Sequence, residues 1–167
     1  MKARKICMIG DFAVGKTSLV SRFVHSTFGE QYLTTVGVKI DTKAIELPSG
    51  DPLKLVLWDI AGKSDFARVD TSYLRDASGY LLVIDSTRDE TFNSAMQLKR
   101  DIDGQLGDVP FCVVLNKTDL TAQWVLSADH LSLLASRGWP TSRTSALSGD
   151  GVTATFTRLG TQLVHEL

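Results

Sequence analysis

Short apolar runs alternate with amphipathic stretches along this chain, and the alternation predicts both the elements and their order. Strand candidates recur near residues 4–10, 38–47, 53–59, 79–85, 110–116 and 139–144. Leu81-Leu82-Val83-Ile84 and Phe111-Cys112-Val113-Val114-Leu115 are apolar throughout, the pattern of parallel strands buried on both faces. Ser18 to His25 carries Leu19, Val20, Phe23 and Val24 at helical spacing. Helical patterns also cover 91–106 and 127–137, the latter with Ser127 as N-cap and Gly138-Trp139-Pro140 as its stop. One region breaks the alternation: Val38-Lys39-Ile40-Asp41-Thr42-Lys43 alternates apolar with polar, and Pro48-Ser49-Gly50-Asp51-Pro52 turns it into Leu53-Lys54-Leu55-Val56-Leu57. The expectation is an α/β fold: a six-stranded, mostly parallel sheet with one antiparallel edge strand and helices on both faces.

Composition narrows this picture. A chain of 167 residues, 43% hydrophobic, suits one substantial core and is short for two, so 1–167 reads as a single domain. A net charge of -1 supplies no general basic field for nucleic acid. The apolar runs are too short to cross a bilayer, and Met1-Lys2-Ala3-Arg4-Lys5 leads into the first strand without a signal-peptide stretch, so a cytoplasmic protein is expected. Cys7 and Cys112 both lie in apolar strand runs, where a free thiol acts as a small hydrophobe. The ending Val164-His165-Glu166-Leu167 has no cysteine, so no lipid anchor is expected in this chain. His25, His130 and His165 show no metal-ligand spacing.

Candidate chemistry begins directly after the first strand, at Gly10-Asp11-Phe12-Ala13-Val14-Gly15-Lys16-Thr17. Glycine at both ends lets the backbone wrap a polyphosphate and turn successive N–H groups inward. Lys16 adds a positive charge for the outer phosphates, the Thr17 hydroxyl suits Mg²⁺, and the following helix N-terminus favours an anion. The strand at 53–59 ends in Trp58-Asp59-Ile60-Ala61-Gly62. Asp59 can hold Mg²⁺ through water, and the Gly62 N–H can approach a terminal phosphate. Asn116-Lys117-Thr118-Asp119 follows the next-to-last strand at the sheet edge where nucleotides bind. Asp119 can accept two hydrogen bonds from the N1–H and amino group of guanine, and Thr144-Ser145-Ala146 can offer a backbone N–H to the guanine carbonyl.

With these motifs in this order, together with Thr35-Val36-Gly37, the whole chain resembles the Ras superfamily of small GTPases. It is most similar to the Rab and Ras branches, and Met8-Ile9-Gly10-Asp11 with Tyr32-Leu33-Thr34-Thr35-Val36-Gly37 also resembles the Ras-like GTPases of bacteria. The resemblance implies a P-loop NTPase fold, a small G domain over 1–167, that binds GTP or GDP with Mg²⁺. It implies nucleotide contacts from Asp11, Phe12, Ala13, Val14, Gly15, Lys16, Thr17, Ser18, Phe28, Tyr32, Thr35, Gly62, Asn116, Lys117, Asp119, Ser145, Ala146 and Leu147. Phe28 would pack on the base, Tyr32 cover the phosphates, and Lys117 lay its stem along the base. Metal ligation falls to Thr17, Thr35 and Asp59, and catalysis to Lys16, Thr35, Gly62 and Lys63. Two switch segments, about 30–38 and 62–74, would be held by the terminal phosphate and released on hydrolysis. Trp58 and Tyr73 resemble the apolar partner surface of Rab-like members, while Ile40 stands there where an aromatic is common, and strand and helix spacing could equally place these side chains in the core; effectors, an exchange factor and an activating protein are also implied. A bacterial source would make a roadblock-type regulator the analogous partner.

The chain departs from the family in three places. Lys63 stands where the family carries a glutamine that orients the attacking water, and lysine has donors but no acceptor, so intrinsic hydrolysis is expected to be slow. Phe12 replaces a common glycine beside the terminal phosphate, and Leu147 replaces a usual lysine near the base. Three readings stay open: a slow GTP-hydrolysing switch, a nucleotide-locked scaffold that does not cycle (a pseudo-GTPase), and a P-loop phosphotransferase. Asn116 to Asp119 and the absence of a lid insertion weigh against the last.

Overall fold

A computed structural model describes residues 1–24, 32–33, 38–60 and 71–165, with no statement on the side chains of 32, 33 and 71. The expected strands form as β1 (Lys2–Gly10), β3 (Val38–Glu46), β4 (Pro52–Ile60), β5 (Gly79–Asp85), β6 (Phe111–Asn116) and β7 (Thr141–Arg143). A further two-residue strand, β2 (Tyr32–Leu33), pairs antiparallel with β3, so the sheet has seven strands in the order β2-β3-β4-β1-β5-β6-β7. The six expected strands are therefore present, but β3, antiparallel to β4, stands one place in from the edge. Two residues carry too little pattern to predict a strand. All remaining pairings, β1 with β4 and β5, β5 with β6, and β6 with β7, are parallel.

The side-chain alternation of the strands sorts the core into two layers. On one face Ile6, Met8, Leu53, Leu55, Leu57, Leu81 and Val83 pack beneath α1 (Lys16–Val24) and α5 (Val152–His165), where Phe23 and Phe156 stack at 4.1 Å. On the other, Cys7, Ile9, Tyr80, Leu82, Ile84, Val113 and Leu115 meet the short α2 (Thr71–Leu74), α3 (Asp89–Leu106) and α4 (Ala128–Ser136). Helices on both faces are thus observed. α4 starts as expected at Ser127, whose hydroxyl accepts from the His130 N–H while the His130 ring accepts from the Ser127 N–H, a reciprocal cap. The β3–β4 turn is closed by the Gly50 N–H on the Leu47 carbonyl at 2.7 Å.

Both cysteines are buried and free, and burial pushes the Cys7 thiol up to about 12, so it stays protonated at neutral pH. Among the described residues no helix is long and apolar enough to cross a membrane. Parallel pairing has one consequence for function. β1, β4, β5 and β6 all run toward the same edge of the sheet, and Gly10, Asp59, Asp85 and Asn116 end there together.

Candidate functional site

The loop from Gly10 to Thr17 leaves β1 at that edge and enters α1 at Lys16. Its backbone turns through left-handed conformations at Ala13 (φ 59°) and Gly15 (φ 103°). Gly15 is obligatory on two grounds: the positive φ suits glycine, and a Cβ there would collide with the Asn116 side-chain amide. Val14 is buried, whereas Ala13, Thr17 and Ser18 are exposed.

Three side chains from outside the loop, and Lys16 from within it, hold its carbonyls. Arg88 Nη1 donates to the Phe12 carbonyl at 2.8 Å, Lys117 Nζ to the Ala13 carbonyl at 3.1 Å, and Asn116 Nδ2 to the Val14 carbonyl at 3.0 Å. Lys16 Nζ reaches back to the carbonyls of Gly10 and Asp11, both at 3.1 Å. A trans peptide points its C=O and N–H in opposite directions. Fixing the carbonyls of residues 12, 13 and 14 therefore turns the N–H groups of Ala13, Val14 and Gly15 the other way, as a row of donors for a polyphosphate. Asp11 lies outside this row: its carboxylate accepts from the Phe12 N–H at 2.7 Å and the Ser94 hydroxyl at 2.9 Å.

Lys16 is 6% exposed, and burial lowers its pKa, an effect opposed by the nearby carboxylates Asp59 and Asp11. Asp59, at the end of β4, accepts from the Thr17 hydroxyl through Oδ2 at 2.5 Å. Its Oδ1 is buried with no hydrogen-bond partner among the described residues. A buried carboxylate oxygen without a partner is costly. Beside a hydroxyl it suits a hard cation such as Mg²⁺, which takes oxygen ligands and retains several waters. Among the described residues no group of three or more His, Cys, Asp or Glu could hold a metal by itself, so Mg²⁺ here would depend on phosphate oxygens and water to complete its shell.

The segment Asn116 to Asp119 is wired into the same unit. Asn116 is buried and receives the Thr144 hydroxyl on Oδ1 at 3.0 Å while its amide holds the phosphate loop. Lys117 takes φ 67°, uncommon for a residue with a side chain, and Nζ bridges Ala13 and the buried Asp85 carboxylate at 2.8 Å. Burial alone would raise the Asp85 pKa, but hydrogen bonds from Lys117 and Thr87 and the Lys117 charge together hold it below the usual carboxylate range. Thr118 donates backbone and hydroxyl hydrogens to the Thr144 carbonyl. The buried Ser145 hydroxyl donates to Asp119 Oδ1 at 2.8 Å and accepts from the Ser148 N–H at 3.1 Å, leaving the exposed Asp119 carboxylate held at the rim. Ala146 is half-buried beside them, and Leu147 is 78% exposed, so the residue replacing the usual lysine makes no core contact.

The structure thus brings together Asp11 to Ser18, Asp59, Asn116, Lys117, Asp119 and Ser145 to Leu147. Phe28, Thr35, Gly62 and Lys63, and the side chain of Tyr32, lie outside the described residues, as do most of the two expected switch segments. The Phe12 ring is 57% exposed at the loop. Trp58 and Ile40 are directly opposite on β4 and β3 and share a face; both are half-buried. Trp58 and the half-buried Tyr73 pack against the α2–α3 side of the core, and Lys5 Nζ sits 3.7 Å from the Trp58 ring. Asp85, Arg88 and Ser94 are site residues that sequence reasoning missed. Asp85 was findable, as a lone carboxylate closing the apolar β5; Arg88 and Ser94 carry no local signal.

Comparison with known proteins agrees with this architecture. A sequence profile of the Ras family matches residues 5–165. Ras-related protein Rab-7L1 of Rattus norvegicus is 38% identical over 132 residues, 76% of this chain and 64% of that protein, and Rab-7L1 of Homo sapiens matches with the same identity and coverage. The GTP-binding protein YPTM2 of Zea mays is 36% identical over 154 residues, 91% of this chain and 75% of that protein. The matched stretch spans just under two thirds of the Rab-7L1 proteins' own length.

Proposed function

This chain belongs to the Ras family of small GTPases, and we propose that it is a guanine-nucleotide switch that passes between GTP- and GDP-bound states. The observation that carries the reading is the direct bonding of the base segment to the phosphate loop: Asn116 and Lys117 hold the Val14 and Ala13 carbonyls while Asp119 is held by Ser145. A nucleotide spanning the two would be read at its base and its phosphates by one braced unit. Asp119 would accept from guanine N1–H and its amino group, and the Ser145-Ala146-Leu147 backbone would meet the carbonyl oxygen. The N–H groups of Ala13, Val14 and Gly15, with Lys16 and the start of α1 at Thr17 and Ser18, would bind the phosphates. Phe28 and Tyr32 would flank base and phosphates.

Thr17 and Asp59 would hold Mg²⁺, joined by Thr35 when the terminal phosphate is present. The cation would neutralise charge on the phosphate oxygens. Thr35 and Gly62 would then report the terminal phosphate to the segments 30–38 and 62–74, whose release on hydrolysis is what effectors, an exchange factor and an activating protein would read, with Ile40, Trp58 and Tyr73 beside them. A roadblock-type regulator is one such partner. Free GTP and two thiols outside any disulfide suit the cytoplasm.

Hydrolysis without a partner would be slow. Lys63 supplies donors that can stabilise phosphoryl oxygens but no acceptor to orient water while protonated. The same substitution favours the second reading, a scaffold locked on GTP. Single-turnover GTP hydrolysis in Lys63→Gln, Phe12→Gly and the double variant separates them. A faster Lys63→Gln at unchanged nucleotide affinity supports a switch limited by water positioning. A slower Lys63→Gln would make the lysine catalytic, and GTP persisting for hours in every variant would support the scaffold.

A further inference from the structure

Three side chains from outside the phosphate loop hold its carbonyls, and two of them, Asn116 and Lys117, belong to the base segment. The third, Arg88, lies in the turn between β5 and α3, and no sequence motif includes it. Its backbone is firmly placed: the Arg88 N–H donates to the Asp85 carbonyl at 3.1 Å, and its own carbonyl accepts from the Thr91 N–H at 3.1 Å and the Thr91 hydroxyl at 2.7 Å. The side chain is about two-thirds buried, with Nε on Glu90 Oε1 at 3.1 Å and Nη1 on the Phe12 carbonyl at 2.8 Å.

The Phe12 carbonyl is where the loop reverses. The Asp11–Phe12 peptide presents its carbonyl to Lys16 and its N–H to the Asp11 carboxylate. The next peptide must turn over for the Ala13 N–H to join the row formed by Val14 and Gly15. Its carbonyl is received by Arg88, and Ala13 reaches φ 59° immediately afterwards. A non-glycine residue in that region costs of order 1 kcal/mol or more and persists where its surroundings impose it. The peptides on either side of Ala13 are both held by cationic side chains, the Phe12 carbonyl by Arg88 and the Ala13 carbonyl by Lys117, through charge-assisted bonds stronger than neutral ones.

We infer that Arg88 is a positioning residue for nucleotide phosphate: by holding the Phe12 carbonyl it aims the Ala13 N–H at the polyphosphate, tying α3 to the phosphate loop. The inference rests on the guanine-nucleotide reading for the identity of its ligand, and on the loop geometry for the rest.

The test compares the parent with Arg88→Ala and Arg88→Lys in the full chain. Arg88→Ala is expected to release GDP about tenfold faster, the effect of one lost hydrogen bond to a charged group, and to shift the β-phosphate ³¹P resonance of bound GDP. Arg88→Lys, which keeps a cationic donor, should recover most of both. Parental GDP release with an unmoved resonance overturns the inference, as does a lowered melting temperature with that resonance in place. If the parent binds no GDP, the proposed function falls, and the Ala13 amide ¹⁵N resonance without nucleotide decides instead: moved in Arg88→Ala it supports the positioning role, unmoved it overturns it.

Discussion

Two buried aspartates flank the end of β1 at the same sheet edge, one on β4 and one on β5, and their surroundings differ. Asp85, at the end of β5, is completely buried and engaged through both oxygens: Oδ1 accepts from the Thr87 N–H and hydroxyl, and Oδ2 is ion-paired with Lys117 at 2.8 Å. Asp59, at the end of β4, is almost as buried, yet among the described residues only its Oδ2 has a hydrogen-bond partner, the Thr17 hydroxyl. A carboxylate neutralised by a lysine serves as a structural brace, whereas one with an oxygen facing no donor or cation among the described residues would suit the Mg²⁺ of the proposed function. The brace also faces the ligand indirectly, since Asp85 steadies the lysine that holds the Ala13 carbonyl.

Substitutions can break this contrast. The largest effect is expected from Asp59→Asn, which keeps the shape and removes the charge: Mg²⁺ affinity of the nucleotide complex should fall by about 10–100-fold, the usual cost at a group that steadies a metal's shell. A Mg²⁺ titration of GDP release measures it. Asp85→Asn should leave the midpoint of that titration in place, and a shift as large as that of Asp59→Asn would dissolve the distinction.

Asp85→Asn should instead cost stability, about 2 kcal/mol in denaturant melts, less than for a fully buried pair because Lys117 is about a third exposed. A smaller effect follows from pH. The folded Asp85 pKa lies below its ordinary value of 3.8, so the unfolded chain takes up this proton first as the medium is acidified. Its contribution is whole above that value and is lost as pH falls below 3.8 through the folded pKa. Melting curves through that range should show a shallower loss in Asp85→Asn than in the parent.

The same contrast explains what the sequence could disclose. β5 and β6 were legible because strands buried on both faces are apolar throughout, and β3 because a turn-forming segment, 48–52, separates it from the strand-like run of β4. β2 was not, since two residues have no period. The proposed nucleotide-site residues Gly10 to Thr17, Asp59 and Asn116 to Asp119 stood out as candidates because wrapping a phosphate and reading a base would require fixed residue types at fixed local spacing. Arg88 lies 76 positions from the carbonyl it holds. Such a contact depends on the sheet bringing two strand ends together and on no local pattern at all. The Trp58–Ile40 pair follows from register, which the hairpin turn sets, and its half-buried place fits packing as well as recognition.

In the proposed function the braced edge reads guanine and phosphate together with Mg²⁺. Titrating the nucleotide-free chain with GDP and with ADP, each with Mg²⁺ and with chelator, tests it directly, with Asp119→Asn run alongside using GDP and xanthosine diphosphate. The expected result is GDP bound at least about 10⁴-fold more tightly than ADP, faster GDP release in chelator, and a preference turned toward xanthosine diphosphate in Asp119→Asn. Equal binding of GDP and ADP, or GDP release indifferent to Mg²⁺, would contradict it.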